Sequence, residues 1–178
     1  MELKNLSKPL AIEDIDFRVQ SINKGGYATI LAYKDARVDI KRLNEVCGVL
    51  GWKREHTRDN KNCIVSIWDQ ENKHWVSKED TGTESIADIQ KGLASDSFKR
   101  ACFNLGIGIE LYDYPVIQVK LHDNEFKIEG QRVKQTWDLK LREWKWHTEF
   151  VGKKLKGIAC KDHYGHIRFK WGDFTAKK

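Results

Sequence analysis

Proline is scarce in this sequence, and several signals that define whole classes of protein are missing. The only two prolines are Pro9 and Pro115, and each marks a predicted boundary. No run of eighteen apolar residues occurs, so the sequence predicts no membrane-spanning helix. No repeat of solenoid length and no low-complexity segment is found. A folded domain is indicated, because 40% of the residues are hydrophobic and 11% are aromatic.

The four cysteines include no Cys-x-x-Cys pair, which favours free thiols in a reducing compartment over a disulfide framework. They are Cys47, Cys63, Cys102 and Cys160. The first residues contain no apolar signal core, which argues against export. Together these two absences predict a cytoplasmic protein.

Negative charge is scarce in the last third of the chain. Net charge is +6 overall. Residues 1–115 carry 17 Lys and Arg against 18 Asp and Glu, whereas residues 116–178 carry 15 against 8. The basic excess indicates a polyanionic partner or simply a soluble surface, and composition alone leaves both open.

Hydrophobic periodicity and turn residues predict an α+β fold with an antiparallel sheet and two main helices. Asp35 is the predicted N-cap of a first helix that runs to about Leu50, with Leu43 and Leu50 on its buried face and Gly51 as its stop. The second helix is predicted over residues 85–105. The predicted strands are 16–22, 27–33, 52–58, 63–69, 74–78, 116–122, 126–133, 138–150, 157–160 and 166–171.

Two segments place basic residues on the predicted helices. The first is residues 37–48, RVDIKRLNEVCG, followed by Gly51-Trp52. The second is residues 91–101, KGLASDSFKRA, followed by NLGIG and then Leu111-Tyr112. Taken singly, each segment is typical of an amphipathic helix with a solvated, charged face.

Taken together and in this order, with three predicted strands between them, the segments resemble the Rad fifty-two superfamily of single-strand annealing proteins. The nearest members by appearance are the phage and bacterial ones. The resemblance covers about residues 15–115, with no such match for 116–178. It implies a strand-strand-strand-helix core, a ring or arc of subunits, and a basic groove that holds the DNA backbone with the bases turned outward. We therefore predict a single-strand annealing core domain over 1–115 and a basic, β-rich C-terminal extension over 116–178.

The resemblance also implies a DNA-binding set on the two helices. The predicted residues are Arg37, Lys41, Lys91, Lys99, Arg100 and Phe103. Arg37 matches the family's groove arginine, the Lys-Arg pair of the second helix matches its counterpart, and Lys91 matches the lysine two turns earlier. Phe103 stands where some members have a further basic residue. It therefore weakens one phosphate contact or replaces it with stacking on a base.

Binding a strand without sequence choice requires cations at phosphate spacing and flat rings for the bases, and this chain offers both. We expect a non-enzymatic protein that binds single-stranded DNA and promotes ATP-independent annealing in recombination and double-strand-break repair. Annealing needs no fuel, since stacking in the duplex is worth about 1.4 kcal/mol per base-pair step. Consistently, the chain has no Gly-x-x-x-x-Gly-Lys-Ser/Thr phosphate loop.

No cofactor or metal is expected. The expected partners are single-stranded DNA, the annealed duplex, further copies of the chain, and a partner exonuclease or single-strand-binding protein, with no membrane. The resemblance to phage and bacterial members places the protein in the cytoplasm or nucleoid of a bacterial host cell.

Interleaved aromatic and basic residues in the extension suit a second DNA surface. The predicted residues are Lys140, Arg142, Trp144, Lys145, Trp146, Lys153, Lys154 and Lys156. Trp144 and Trp146 share one face of a predicted strand, as core tryptophans also would, so sheet packing and base stacking both stay open for them.

Two other functions stay open at this point. One is a small metal-dependent nuclease that uses Asp162, His163 and His166, although Cys160-x-x-His163-x-x-His166 lacks the second half of a zinc site. The other is an RNA-coating regulator without annealing activity.

Overall fold

The computed structural model describes residues 2–83 and 89–174, without the side chains of residues 89–91. Within these residues, antiparallel strands and two α-helices form an α+β fold, as predicted. The helices are α1 (Ala36–Cys47) and α2 (Ile89–Phe103). The strands are β1 (Asp16–Ile22), β2 (Tyr27–Tyr33), β3 (Trp52–Thr57), β4 (Asn62–Asp69), β5 (His74–Thr81), β6 (Ile117–Lys120), β7 (Phe126–Glu129), β8 (Arg132–Gln135), β9 (Lys145–Val151), β10 (Lys154–Lys161) and β11 (Ile167–Gly172). In the described ranges, no helix has the length and apolar character needed to cross a bilayer.

The chain groups into two compact units. The first unit comprises residues 1–10 and 34–109, and the second comprises residues 11–33 and 110–178. The β1–β2 hairpin belongs to the second unit, and β2 pairs with β6 there. A boundary at residue 115 would separate β6 from this hairpin, and the division into core and extension stays a prediction.

The first unit contains the predicted strand-strand-strand-helix core. Strands β3, β4 and β5 form a sheet in that order, and α2 packs against β4 and β5. The apolar residues Cys63, Val65 and Ile67 of the central strand β4 are buried, and so is Ser66 between them. The helix contributes Phe98 and Cys102, both fully buried, to the same unit.

Helix α1 begins as predicted but ends one turn early. The Asp35 carboxylate accepts a hydrogen bond from the Arg37 amide at 2.8 Å, so Asp35 is the N-cap. The helix ends at Cys47 because Gly48 takes a positive φ of 75°, a conformation that favours glycine. Leu43 is fully buried as predicted, but Leu50 lies beyond the helix and is 93% exposed, so its predicted place on the buried face is wrong.

Gly51 and Trp52, which follow α1, pack closely against the last turn of that helix. A Cβ atom at Gly51 would lie 2.0 Å from the Cys47 carbonyl oxygen, so only glycine fits. The Trp52 indole nitrogen donates to the Asn44 side-chain oxygen at 2.7 Å. This motif therefore fixes the start of β3 against the last turn of α1.

The second unit contains the sheets β1–β2–β6 and β9–β10–β11 and the β7–β8 hairpin. The predicted β1 and β2 have the observed bounds. The predicted strand 126–133 is instead a hairpin that turns at Gly130, whose φ is 62°. The predicted strand 138–150 begins with a 3₁₀ turn, Leu141–Glu143, before β9. The buried core of this unit consists of Ala28, Ile30, Ile117, Val119, Leu121, Leu139, Leu141, Trp144, Leu155, Ile158 and Cys160.

Candidate nucleic-acid interface

The N-terminus of α1 presents cations to solvent. Arg37 and Lys41 lie four residues apart, on one side of the helix, and both are exposed. The Arg37 guanidinium donates to the Asp35 carboxylate, with 2.8 Å between Nε and Oδ1, yet its side chain is 88% exposed. This geometry ties the arginine to the helix cap, and most of its side-chain surface is exposed.

Lys99 of α2 lies near the same end of α1. The pKa of Asp35 is held below its ordinary value, chiefly by hydrogen bonds from the Arg37 side chain and amide, and Lys99 also lowers it through its charge. Lys99 acts on the Asp39 carboxyl in the same way. We call Arg37, Lys41 and Lys99 the helix corner.

Arg100 points elsewhere. Consecutive residues of an α-helix are about 100° apart around its axis, so the side chains of the predicted pair, Lys99 and Arg100, point in different directions. The Arg100 Nε lies 3.3 Å from the Asp80 Oδ1 of β5, and the Asn104 side chain donates to the other oxygen of the same carboxylate at 3.2 Å. Arg100 is therefore partly engaged in joining α2 to the sheet.

Phe103 has a cation against its ring. The Lys34 ammonium lies 4.1 Å from the ring centroid and is itself buried. Lys34 also donates to the Ile107 carbonyl at 2.7 Å and to the Asp39 carboxylate. Lys34 occupies one face of the Phe103 ring, so the prediction that this ring stacks on a base is wrong for that face. The side chain of Lys91 lies outside the described residues.

Asp39 and Lys34 form a fully buried ion pair that the sequence did not indicate. Burial raises the pKa of Asp39 to about 6, and the nearby Lys34 ammonium opposes this rise. The pair joins the start of α1 to the segment after α2. It therefore holds together the two elements on which the helix corner is built.

The cations of the second predicted surface are exposed, whereas its two tryptophan rings are packed, and DNA binding at this surface stays a prediction. Lys140, Arg142, Lys145, Lys153, Lys154 and Lys156 are all exposed. Trp144 is only 5% exposed and belongs to the core, with the Arg168 guanidinium 4.6 Å from its ring centroid, so it offers no face to a base. Trp146 is half-buried and stacks on Phe17 at 3.7 Å, which favours packing for this ring as well.

The residues of the nuclease alternative take part in a structured turn. The buried Asp162 accepts hydrogen bonds from the Tyr164 and His166 amides at 3.0 and 2.9 Å and lies 3.4 Å from Arg168. The His163 ring lies tilted against the Tyr164 ring, with 3.9 Å between ring centroids. In the part of the chain that the structure describes, no three His, Cys, Asp or Glu side chains are grouped as metal ligands.

One conspicuous residue lies outside both predicted sets of DNA-binding residues. Trp137, in the loop after β8, is 98% exposed, whereas tryptophan is highly buried on average. The available signal was its setting, because Trp137 stands alone between Thr136 and Asp138 without apolar neighbours in sequence.

A family model described as "Rad52/22 family double-strand break repair protein" matches residues 2–74. Searches of curated proteins and of solved structures gave no match. The matched segment contains α1, the Gly51-Trp52 exit and two strands of the β3–β4–β5 sheet. The match confirms the resemblance that the motifs predicted for this part of the chain: residues 2–74 are similar to the Rad52/22 family.

Proposed function

We propose that this protein binds single-stranded DNA at the helix corner and promotes annealing of complementary strands, without ATP, during recombination and double-strand-break repair. The observation that carries the proposal is the grouping of Arg37 and Lys99 at the start of α1, within a unit that includes most of the family match. The family's description as double-strand break repair proteins supports the same function.

The geometry suits backbone binding rather than base reading. Arg37 and Lys41 are exposed cations on one helix side, and Lys99 adds a third from a neighbouring helix. Such cations neutralise phosphates without regard to sequence, while the bases stay free to pair. The protein therefore needs only to reduce phosphate repulsion between two strands, since base stacking then favours the duplex.

We further propose that copies of the chain assemble into a ring or arc of the phage or bacterial type, acting with a partner exonuclease or single-strand-binding protein. A ring would repeat the helix corner along a strand, so that a short phosphate contact in each copy becomes a long binding track. Imaging the protein with and without single-stranded DNA tests this arrangement, and a monomer in both conditions would contradict it.

The annealing activity is tested with two complementary oligonucleotides, one labelled, mixed without ATP or divalent metal. We expect the pairing rate to rise when the protein is added. A protein that binds strands but leaves the pairing rate unchanged would instead fit the RNA-coating regulator. Cleavage of the labelled strand with magnesium or manganese, abolished by His163→Ala, would establish the nuclease alternative.

Replacing Arg37 and Lys99 together by alanine is expected to weaken binding to single-stranded DNA and to reduce its salt dependence. Each lost phosphate contact lowers the slope of log affinity against log salt by about 0.7, so the pair should lower it by about 1.4. The measurement is a fluorescence titration at several salt concentrations.

A matched control removes two exposed lysines away from the helix corner, Lys24→Ala with Lys78→Ala. This control has the same change in net charge and should keep the slope of the wild-type chain. If both double variants lower the slope equally, general charge rather than the helix corner governs binding.

A further inference from the structure

The second unit contains a basic cleft, whereas the helix corner belongs to the first unit. It lies beside β1 and the segment from β8 to the 3₁₀ turn Leu141–Glu143, and its volume is about 860 Å³. Four cations line it, Arg18, Lys134, Lys140 and Arg142, against one carboxylate, Glu143. We call it the Trp137 cleft after its exposed tryptophan.

The cations of this cleft differ in how far they are already engaged. Lys134 lies 2.7 Å from Glu129, so its charge is partly neutralised. For Lys140 and Arg142, the described residues provide no carboxylate within salt-bridge distance, and both side chains are exposed. Arg18 is exposed and lies over the Tyr33 ring, 5.4 Å from its centroid. Three cationic side chains are thus available to an anionic ligand.

Trp137 adds a flat apolar surface to the cations of the cleft. Its ring lines the same cleft and is almost entirely exposed. An indole is large enough to cover a base, and its burial by stacking removes apolar area from water. The combination of an alternating anionic backbone with flat aromatic groups is the chemistry of a single-stranded nucleic acid.

We infer that the Trp137 cleft is a second binding site for single-stranded nucleic acid, in which one base stacks on Trp137 while Lys140, Arg142 and Arg18 hold the adjoining phosphates. This inference rests on the proposed function and adds a site to it. A chain with two such sites can hold two strands, or two stretches of one strand, at the same time. The second site also gives part of the basic excess of residues 116–178 a role.

The test separates stacking from charge by using two probes of equal length, an oligothymidylate and an abasic deoxyribose-phosphate strand. It is made in the full chain that carries Arg37→Ala and Lys99→Ala, so that the helix corner does not mask the cleft. Trp137→Ala should weaken binding of oligothymidylate roughly 5- to 100-fold and leave the abasic strand unchanged. Trp137→Phe should retain most of the affinity.

Lys140→Ala with Arg142→Ala should weaken binding of both probes and lower the salt slope by about 1.4. The matched aromatic control is Tyr164→Ala, since this ring is also exposed but lies in the turn between β10 and β11. Tyr164→Ala should bind both probes as its parent chain does. These variants alter exposed side chains, so the fold should be retained.

The possible failures are distinguishable. If Trp137→Ala binds oligothymidylate as tightly as its parent, the inference is wrong and the exposed ring serves another partner, such as a protein. Equal losses on both probes would likewise exclude stacking. If the wild-type chain binds neither probe, the proposed function itself is wrong. If wild type binds the probes but the chain with Arg37→Ala and Lys99→Ala does not, the helix corner is the DNA-binding site and the Trp137 cleft is not.

Discussion

Lys34→Met is expected to lower the free energy of unfolding by about 3–5 kcal/mol at pH 8. Lys34 is buried, and its ammonium contacts the fully buried Asp39 carboxylate and the Ile107 carbonyl. Methionine keeps the length of the side chain but removes its charge. The Asp39 carboxylate would then be buried without a cation, and it must either remain charged at a high cost or bind a proton. The loss is large, because a domain is stable by only about 5–15 kcal/mol.

The effect should depend on pH in a defined direction. Burial raises the pKa of Asp39 from 3.8 to about 6, despite the opposing charge of Lys34. A carboxyl with a raised pKa in the folded state favours folding most at pH values below 3.8, and this contribution is lost as pH rises through about 6. Without Lys34 the pKa of Asp39 should rise further. The difference between Lys34→Met and wild type should therefore shrink as pH falls from 8 toward 6, and it should be small below pH 6, where Asp39 is protonated in both folded chains.

Two further variants test the cause of this effect. Lys34→Met combined with Asp39→Asn removes both charges and should regain most of the lost stability, as buried ion pairs replaced by neutral groups often do. Lys78→Met is the matched control, since Lys78 is exposed on β5, and it should change stability by no more than about 0.5 kcal/mol. Urea unfolding followed by circular dichroism gives all three values. A Lys34→Met chain as stable as the Lys78→Met chain would contradict the prediction.

The elements were predictable where local signals decide them. Asp35 capped α1 because its short carboxylate reaches the Arg37 amide, and alternation fixed β1 and β2 to the residue. Predictions failed where a glycine acts through a positive φ. Gly48 ends α1 before Gly51, and Gly130 turns a predicted strand into the β7–β8 hairpin. Sequence shows that a glycine is present but not which of two neighbouring glycines adopts that conformation.

The candidate site was predictable in part, for a different reason. Helical spacing places Arg37 and Lys41 together, but the direction in which a basic residue points depends on the neighbouring element. Arg100 contacts Asp80 on β5, and Lys34 contacts Asp39 inside the unit, so both basic side chains are engaged in contacts that the sequence did not indicate. Trp144 looks available for base stacking in the sequence but is buried. Its ring is covered by Arg168 on β11, a strand that begins more than twenty residues later in the chain.

Arg168→Ala should destabilise the second unit by about 3–5 kcal/mol. The Arg168 side chain is only 6% exposed and donates to both oxygens of Glu125, at 3.0 and 2.7 Å. It also donates to the Lys120 carbonyl at 3.0 Å, lies 3.4 Å from Asp162, and covers the Trp144 ring. Alanine would leave two buried carboxylates without their cation and expose part of a core ring. Arg168→Lys should recover only part of the loss, because an ammonium cannot donate in the same forked geometry.

The pH dependence of this cluster should be opposite to that of Asp39. Burial tends to raise the pKa values of Glu125 and Asp162, but hydrogen bonds from Arg168 and from backbone amides outweigh it, and both pKa values are lowered. Their stabilising contribution is therefore present above the ordinary values of 4.5 and 3.8 and is lost as pH falls through the lowered ones. The stability difference between wild type and Arg168→Ala should narrow only at acid pH, whereas the difference between wild type and Lys34→Met should already be small at about pH 6.

Lys170→Ala provides the control for Arg168, since Lys170 is an exposed cation two residues later on β11. Thermal unfolding should place this variant within about 0.5 kcal/mol of wild type. Because Trp144 lies under Arg168, near-ultraviolet circular dichroism should also change in Arg168→Ala before the chain unfolds, and remain as in wild type for Lys170→Ala. If Arg168→Ala and Lys170→Ala unfold at the same temperature, the buried cluster does not stabilise the second unit.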